Sequence, residues 1–171
     1  MPTDRRGSSR AFPAWLWPLA LVLLIARIGF TWHEHQSPPV REELVKWRTF
    51  EAGVAESRML RKPMLLEFSA DWCGPCKQMK ADVFSDRGSA SLIEGATVPV
   101  RLLDRQQEEG HNSALVDSLQ RRFKIDGFPT LVVYDPESDR SEQISGYGGP
   151  AQTRDWIQHN AAQVRWDLKK P

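Results

Sequence analysis

The chain has 171 residues, 23 basic against 22 acidic side chains, 40% hydrophobic residues and two cysteines. That length holds one ordinary domain with appendages, and a net charge of +1 leaves no basic footprint for nucleic acid. The apolar content is enough for a packed core, which excludes wholesale disorder. Two cysteines cannot build a disulfide scaffold, nor fill a four-ligand zinc site by themselves.

Residues 11–26, AFPAWLWPLALVLLIA, carry no charge, and after Arg27 the apolar character resumes as far as Trp32. As a helix, Pro13 to Trp32 extends about 30 Å, the thickness of a bilayer core. Pro18 kinks such a helix, Arg27 snorkels to the headgroups, and Trp15, Trp17 and Trp32 fall near the interfaces. Arg5, Arg6 and Arg10 precede the run, so the positive-inside rule keeps residues 1–12 cytoplasmic and translocates everything after Trp32. A cleaved signal peptide is the alternative, but Ala26-Arg27-Ile28-Gly29-Phe30 fits a small-residue cleavage site poorly. The expected organisation is a leader at 1–12, a transmembrane signal anchor at 13–32, a linker at 33–40, a domain at 41–166 and a tail at 167–171. His33 and His35 read as part of a solvated tether, and Ser37-Pro38-Pro39 as a stiff spacer.

Past the spacer, Val40 to Arg61 carries Leu44, Trp47, Phe50 or Ala52, Val54 and Leu60 at an amphipathic helical period. Pro63 to Phe68 reads as a buried strand, and Pro75 to about Phe84 as a helix opened by Gly74-Pro75. Val98 to Leu103 is a second strand. Ser113 to Phe123 is a helix with Ala114, Leu115, Leu119 and Phe123 on one face. Thr130 to Tyr134 is a β-branched and aromatic strand, followed by a turn at Asp135–Arg140 and a short strand near Glu142–Ser145. Gln152 to Arg165 closes the domain as a helix with Trp156, Ile157 and Val164 inward. This order predicts an α/β sandwich around a mixed sheet.

The chemistry sits at Trp72-Cys73-Gly74-Pro75-Cys76-Lys77, directly after the first strand. Two cysteines three apart at a helix start lie one turn apart on the same side, close enough for a disulfide. In the cap region, free N–H groups and the helix dipole stabilise a Cys73 thiolate, the form that attacks disulfides. Cys76, further into the helix, should be the more buried and act as the resolving thiol. Pro75 stiffens the turn and Gly74 lets a partner's backbone approach. A purely structural bridge over so short a loop constrains the unfolded chain little. A half zinc site would need two further ligands, and His111 and His159 lie at no metal-like spacing. Glu67 is an acid in an otherwise apolar strand, which is costly unless functional or paired. No metal and no cofactor is expected.

The segment 72–77 resembles the active-site sequence of the thioredoxin family, and Gly127-Phe128-Pro129-Thr130 resembles that family's cis-proline loop. Lys62 to Cys73, with Val83-Phe84-Ser85-Asp86, is similar to the C-terminal periplasmic domain of the bacterial thiol:disulfide interchange transporter. The resemblance covers roughly residues 42–160. It implies a thioredoxin-like fold, a redox disulfide Cys73–Cys76, a cis Pro129, and a Phe128 backbone that pairs with a bound polypeptide. Trp72, Gly74, Pro75, Phe128, Pro129, Thr130 and Gly146 would bind substrate. Glu67 would be a buried acid/base with a raised pKa, taking the proton from Cys76. Two departures stand out. Ser69 replaces a tryptophan common in the family, leaving the groove beside the cysteines less aromatic. No lysine matches the partner of the buried acid, although Arg101 is near in sequence. Asp71 and Lys77 flank the site, tuning its charge or simply solvated.

The expected function is a thiol:disulfide oxidoreductase anchored by one span in a bacterial inner membrane, its domain in the periplasm. It would reduce disulfides of extracytoplasmic proteins with electrons from a transmembrane donor. The alternatives are a disulfide oxidase or isomerase of the same fold, or a non-enzymatic tethered assembly or copper-delivery factor. In the last case the two cysteines would be ligands, since soft thiolates select Cu(I). Met79, three residues beyond Cys76, reads as a packing residue.

Overall fold

The computed structural model describes residues 42–167 together with Pro18 and residues 21–27. The chain divides into two units, Met1–Pro39 and Val40–Pro171. In the first, residues 21–27 are helical. The leader at 1–12, most of the 13–32 run, the linker at 33–40 and residues 168–171 lie outside the described residues. Among the described residues no helix is long and apolar enough to cross a membrane.

In the second unit, residues 42–49 run extended before α1 (Phe50–Leu60). Then come β1 (Met64–Ala70), α2 (Gly74–Met79) with a π turn at Lys80–Phe84, α3 (Arg87–Ala96) and β2 (Val98–Asp104). The chain ends with α4 (Gln106–Glu109), α5 (Ala114–Arg122), β3 (Thr130–Tyr134), β4 (Ser141–Ser145) and α6 (Pro150–Asp167).

The expected helix from Val40 begins only at Phe50. Thr49 caps it, its hydroxyl accepting from the Ala52 N–H at 3.3 Å. The residues before it satisfy their backbone elsewhere. Leu44 N–H donates to the Phe84 carbonyl at 2.8 Å and Arg48 N–H to the Pro99 carbonyl at 3.0 Å, and Arg48 forms a parallel bridge with Val100. Leu44 and Leu60, assigned to the helix's inner face by periodicity, are exposed. These bonds to distant carbonyls are tertiary, and no local period registers them. Helices α3 and α4 were not among the expected elements. The α3 sequence, RGSASLIEGA, has loop-like composition, yet the Asp86 carboxylate caps it from Ser89 N–H at 2.8 Å and Ala90 and Ile93 are buried as it packs on α6. In α5 the buried residues are Val116 and Leu119, with Phe123 just after it; Ala114 points outward.

The sheet has the order β2-β1-β3-β4, with β1 parallel to β2 and antiparallel to β3, and β3 antiparallel to β4. It is therefore mixed and covered on both faces, the expected α/β arrangement. Every residue of β1 is buried, because strand alternation sends consecutive apolar side chains into opposite cores. Leu65 joins Met79, Val83, Phe84, Ile93, Leu131 and Ile157 on the face of α2, α3 and α6. Met64, Leu66 and Phe68 join Val100, Val116, Leu119 and Phe123 on the face of α1 and α5.

Helix α1 reaches the sheet through Gly53, where an added Cβ would lie 2.3 Å from Val100 Cγ2 and 3.0 Å from Met64 Cε. Val100 is fully buried and stiff about χ1, so it cannot give way. Gly53→Ala should therefore destabilise the fold by about 1–3 kcal/mol. Gly95→Ala in α3, where a Cβ meets nothing within 4 Å, should be neutral or stabilising by up to about 1 kcal/mol. Urea unfolding of both variants checks this; equal effects would mean that the Gly53 contact does not govern the packing of α1.

Candidate active site

Strand β1 ends at Ala70, whose carbonyl accepts from the Cys73 N–H at 3.1 Å, and this tight turn sets Cys73 at the head of α2. Cys73 is the N-cap, its Sγ accepting from the Cys76 N–H at 3.1 Å, and Pro75 occupies the first turn. The sulfurs of Cys73 and Cys76 are joined in a disulfide, with Cα atoms 5.3 Å apart. The Cys76 N–H and the positive end of the helix therefore face the Cys73 sulfur. Cys76 was expected to be the more buried, but here Cys73 is 3% and Cys76 5% exposed. The reason is a cover from another part of the chain. Phe128 packs on Ala70, Cys73 and Cys76 together.

That cover belongs to the loop before β3. The Phe128–Pro129 peptide bond is cis. Thr130 is buried, its hydroxyl donating to the Gly127 carbonyl at 2.8 Å and meeting Ser145 Oγ at 2.9 Å. Gly146, at φ +85°, donates its N–H to the Pro129 carbonyl at 2.7 Å, so the turn after β4 braces the same loop. Trp72 is 48% exposed, its ring edge-on to Phe128 at 5.9 Å between centroids. Gly74 and Pro75 are exposed, and a Cβ at Gly74 would meet nothing within 4 Å. Trp72 and both cysteines thus pack against Phe128, and hydrogen bonds from Gly146 to Pro129 and from Thr130 to Gly127 brace the loop that carries it.

Glu67 lies in the middle of β1, 2% exposed, in register with Arg101 of β2 on one side and Leu131 of β3 on the other. Arg101 Nε donates to its Oε2 and the Ser69 hydroxyl also binds it. Burial pushes Glu67 above the usual carboxylate range, and the Arg101 guanidinium offsets part of that rise. Burial opposes the charge on Arg101, but Glu67 and Glu43 outweigh it and its pKa rises. Arg101 Nη1 donates to Glu43 at 2.8 Å, and the guanidinium carbon lies 4.2 Å from the centre of the Trp47 ring. Glu43 also accepts from Trp47 Nε1 at 2.6 Å and pairs with Lys80 Nζ at 2.5 Å. Partial burial would raise Glu43, yet hydrogen bonds from Arg101, Lys80 and Trp47 hold it down at about 2.

Sequence reasoning noted Arg101 only as a neighbour and missed Glu43, Trp47 and Lys80. The signal for Arg101 was there: one basic residue inside the apolar strand 98–104, matching one acid inside β1. Ser69, where the family commonly has a tryptophan, is buried and hydrogen-bonded to Glu67. Asp71 is exposed and paired with Arg105, which also pairs with Glu109 at 3.1 Å, and Lys77 is exposed. Among the described residues no three His, Cys, Asp or Glu side chains converge as a metal site.

A family model described as a thioredoxin-like domain matches residues 50–161. Protein disulfide-isomerase tigA of Aspergillus niger is 36% identical over 85 residues, which is 50% of this chain and 21% of that protein. The thiol:disulfide interchange protein DsbD of Actinobacillus pleuropneumoniae is 26% identical over 98 residues, 56% of this chain and 16% of that protein. The chain thus spans only about a fifth of the length of these curated relatives. Among solved structures, a DsbH oxidoreductase superposes with a TM-score of 0.60 at 19% identity, over 75% of this chain and 92% of that one.

The low pKa of Glu43 carries a stability consequence with a definite sign. Its contribution is complete above its ordinary value of 4.5 and is lost as the pH falls towards about 2. Glu67, raised, works in the opposite direction, its contribution declining as the pH rises above 4.5. Glu43→Gln should therefore be less stable than the parent above pH 4.5, with the gap closing as the pH falls to about 2. Urea midpoints of the two proteins across that range decide it; a gap that is constant with pH would contradict this account of Glu43.

Proposed function

Because the chain belongs to the thioredoxin-like domain family, we propose that it is a thiol:disulfide oxidoreductase that reduces protein disulfides by cycling Cys73 and Cys76. The observation that carries this reading is a disulfide at the head of a helix, beneath a cis-proline loop, in a domain whose central strand holds a buried acid.

In the reduced protein, the Cys73 thiolate attacks one sulfur of the substrate disulfide. A Cys73–substrate bond forms, the substrate's S–S bond breaks, and its first sulfur leaves as a thiolate. Glu67 takes the proton from Cys76, and the resulting thiolate attacks Cys73 Sγ. The Cys73–Cys76 bond closes, the mixed disulfide breaks, and the second substrate sulfur leaves. Two electrons have then passed from the protein to the substrate. Burial raises the pKa of Glu67 and so makes its carboxylate a better base. The backbone at Phe128 pairs with the substrate chain in strand fashion, while Trp72, Gly74, Pro75, Pro129, Thr130 and Gly146 shape the docking surface. A dithiol donor in the membrane restores the reduced pair.

Residues 13–32 anchor the protein in a bacterial inner membrane, with the domain at 41–166 in the periplasm. Supporting this, the helical residues Leu21 to Ile25 are uncharged and each is at least 56% exposed, which suits lipid. DsbD, a relative over part of its length, is named as a thiol:disulfide interchange protein.

The test uses the full chain in detergent. Cys76→Ser should accumulate a thiol-sensitive adduct with a disulfide-bonded protein such as insulin, and Cys73→Ser should accumulate none. No adduct with either variant would remove the exchange mechanism. The midpoint potential in glutathione buffers sets the direction: about −270 mV for a reductant, about −120 mV for an oxidant.

A further inference from the structure

Arg101 serves two acids at once. Its Nε binds Glu67 on β1, while its Nη1 binds Glu43 on the extended segment 42–49. The guanidinium is flanked by aromatic rings, 4.2 Å from the Trp47 ring centre and 5.6 Å from that of Phe84. Trp47 and Phe84 themselves stack edge-on at 4.9 Å. Glu43 is held by Trp47 Nε1 and Lys80 Nζ, and the segment is fastened by backbone bonds from Leu44 to Phe84 and from Arg48 to Pro99. A rigid path of charge therefore runs from the segment preceding α1 to the acid in the central strand.

We propose that Glu43 is a positioning residue for disulfide exchange: by sharing Arg101 with Glu67, it sets how strongly Arg101 holds the Glu67 carboxylate. This rests on the reading of Glu67 as the proton acceptor for Cys76. One guanidinium between two carboxylates satisfies neither completely, and in a buried site that division is poorly screened. Without the charge on Glu43, Arg101 pairs with Glu67 alone and Lys80 loses its partner acid. Both changes stabilise the Glu67 carboxylate and weaken it as a base. The Glu43 charge acts on Glu67 in the same sense as burial does. The charged groups facing Glu67 are Arg101 from β2 and, across it, Glu43 with Lys80 from the π turn. Ser69 adds a hydroxyl, whereas β3 and α6 present Leu131 and Ile157 to the same core.

A purely structural role for Glu43 would lower stability and scale activity at every pH alike. The coupling changes the shape of the pH profile. The experiment uses the full 171-residue chain in detergent, with glutamate carboxyls labelled with carbon-13. The Glu67 resonance is identified by its loss in Glu67→Gln. In Glu43→Gln, its titration should move to lower pH. The plateau rate of the resolving step should fall about two- to tenfold, short of the ~100-fold or more expected from losing the base outright. The acid limb of that rate should extend to lower pH, so the two profiles cross. Glu43→Asp, which keeps the charge, should restore both. If Glu43→Gln does not fold, Lys80→Gln tests the same path from the other side and should move the Glu67 titration upward. An unmoved Glu67 titration in a folded variant overturns the proposal. Should the parent protein reduce no protein disulfide, the functional reading falls, while the carboxyl titration still decides the coupling.

Discussion

A carboxylate in the middle strand of a sheet is the constraint around which this molecule is arranged. Glu67 has strands on both sides and helices over it, so its charge is tolerable only against a fixed partner. The parallel register of β1 and β2 supplies one by setting Arg101 directly across from it. Arg101 is itself largely enclosed, and its remaining donors reach Glu43. That requires residues 42–49 to lie along the edge of β2 instead of joining the helix behind them, and it draws Trp47 over the guanidinium. A register, an extended segment and an aromatic stack thus all answer to one buried acid.

The same strand delivers the thiols. Every β1 residue is buried, so the strand is held from both faces, and the chain leaves it through one hydrogen-bonded turn into the head of α2. The cysteines therefore stand on a rigid strand-to-helix junction at the carboxyl end of the sheet, where open α/β sheets place their ligands. Because β3 pairs antiparallel with β1, with Thr130 opposite Phe68, the residues entering β3 arrive at that end too. This is why Phe128, more than fifty residues away in the chain, meets Cys73. The brace from Gly146 follows in turn from the β3–β4 hairpin, whose register sets Ser145 opposite Thr130.

What could be read from the chain alone was whatever short-range spacing controls. Cys73 and Cys76 are one helical turn apart whatever surrounds them, and Gly74-Pro75 opens a helix through properties of those residues themselves. Thr130 to Tyr134 is β-branched and aromatic, and the strand has those bounds. Glu67 stood out as an acid among apolar neighbours, which marked it without revealing what paid for its burial. The helix α3 escaped notice because glycine, serine and alanine dominate it, and it forms through the Asp86 cap and its packing on α6.

The sequence by itself therefore determined the chemistry on offer and the elements that carry it: two thiols at a helix start, an acid in a strand, and an α/β order. Only the tertiary structure decided how that chemistry is tuned. Glu43 and Arg101 are 58 residues apart, and their contact exists because a strand register and an extended segment bring them together. The cover over Cys73 and the charge balance at Glu67 depend on the same long-range pairing. Periodicity and local propensity act over a few residues, whereas the field at a buried acid is set by whichever groups the finished fold leaves beside it.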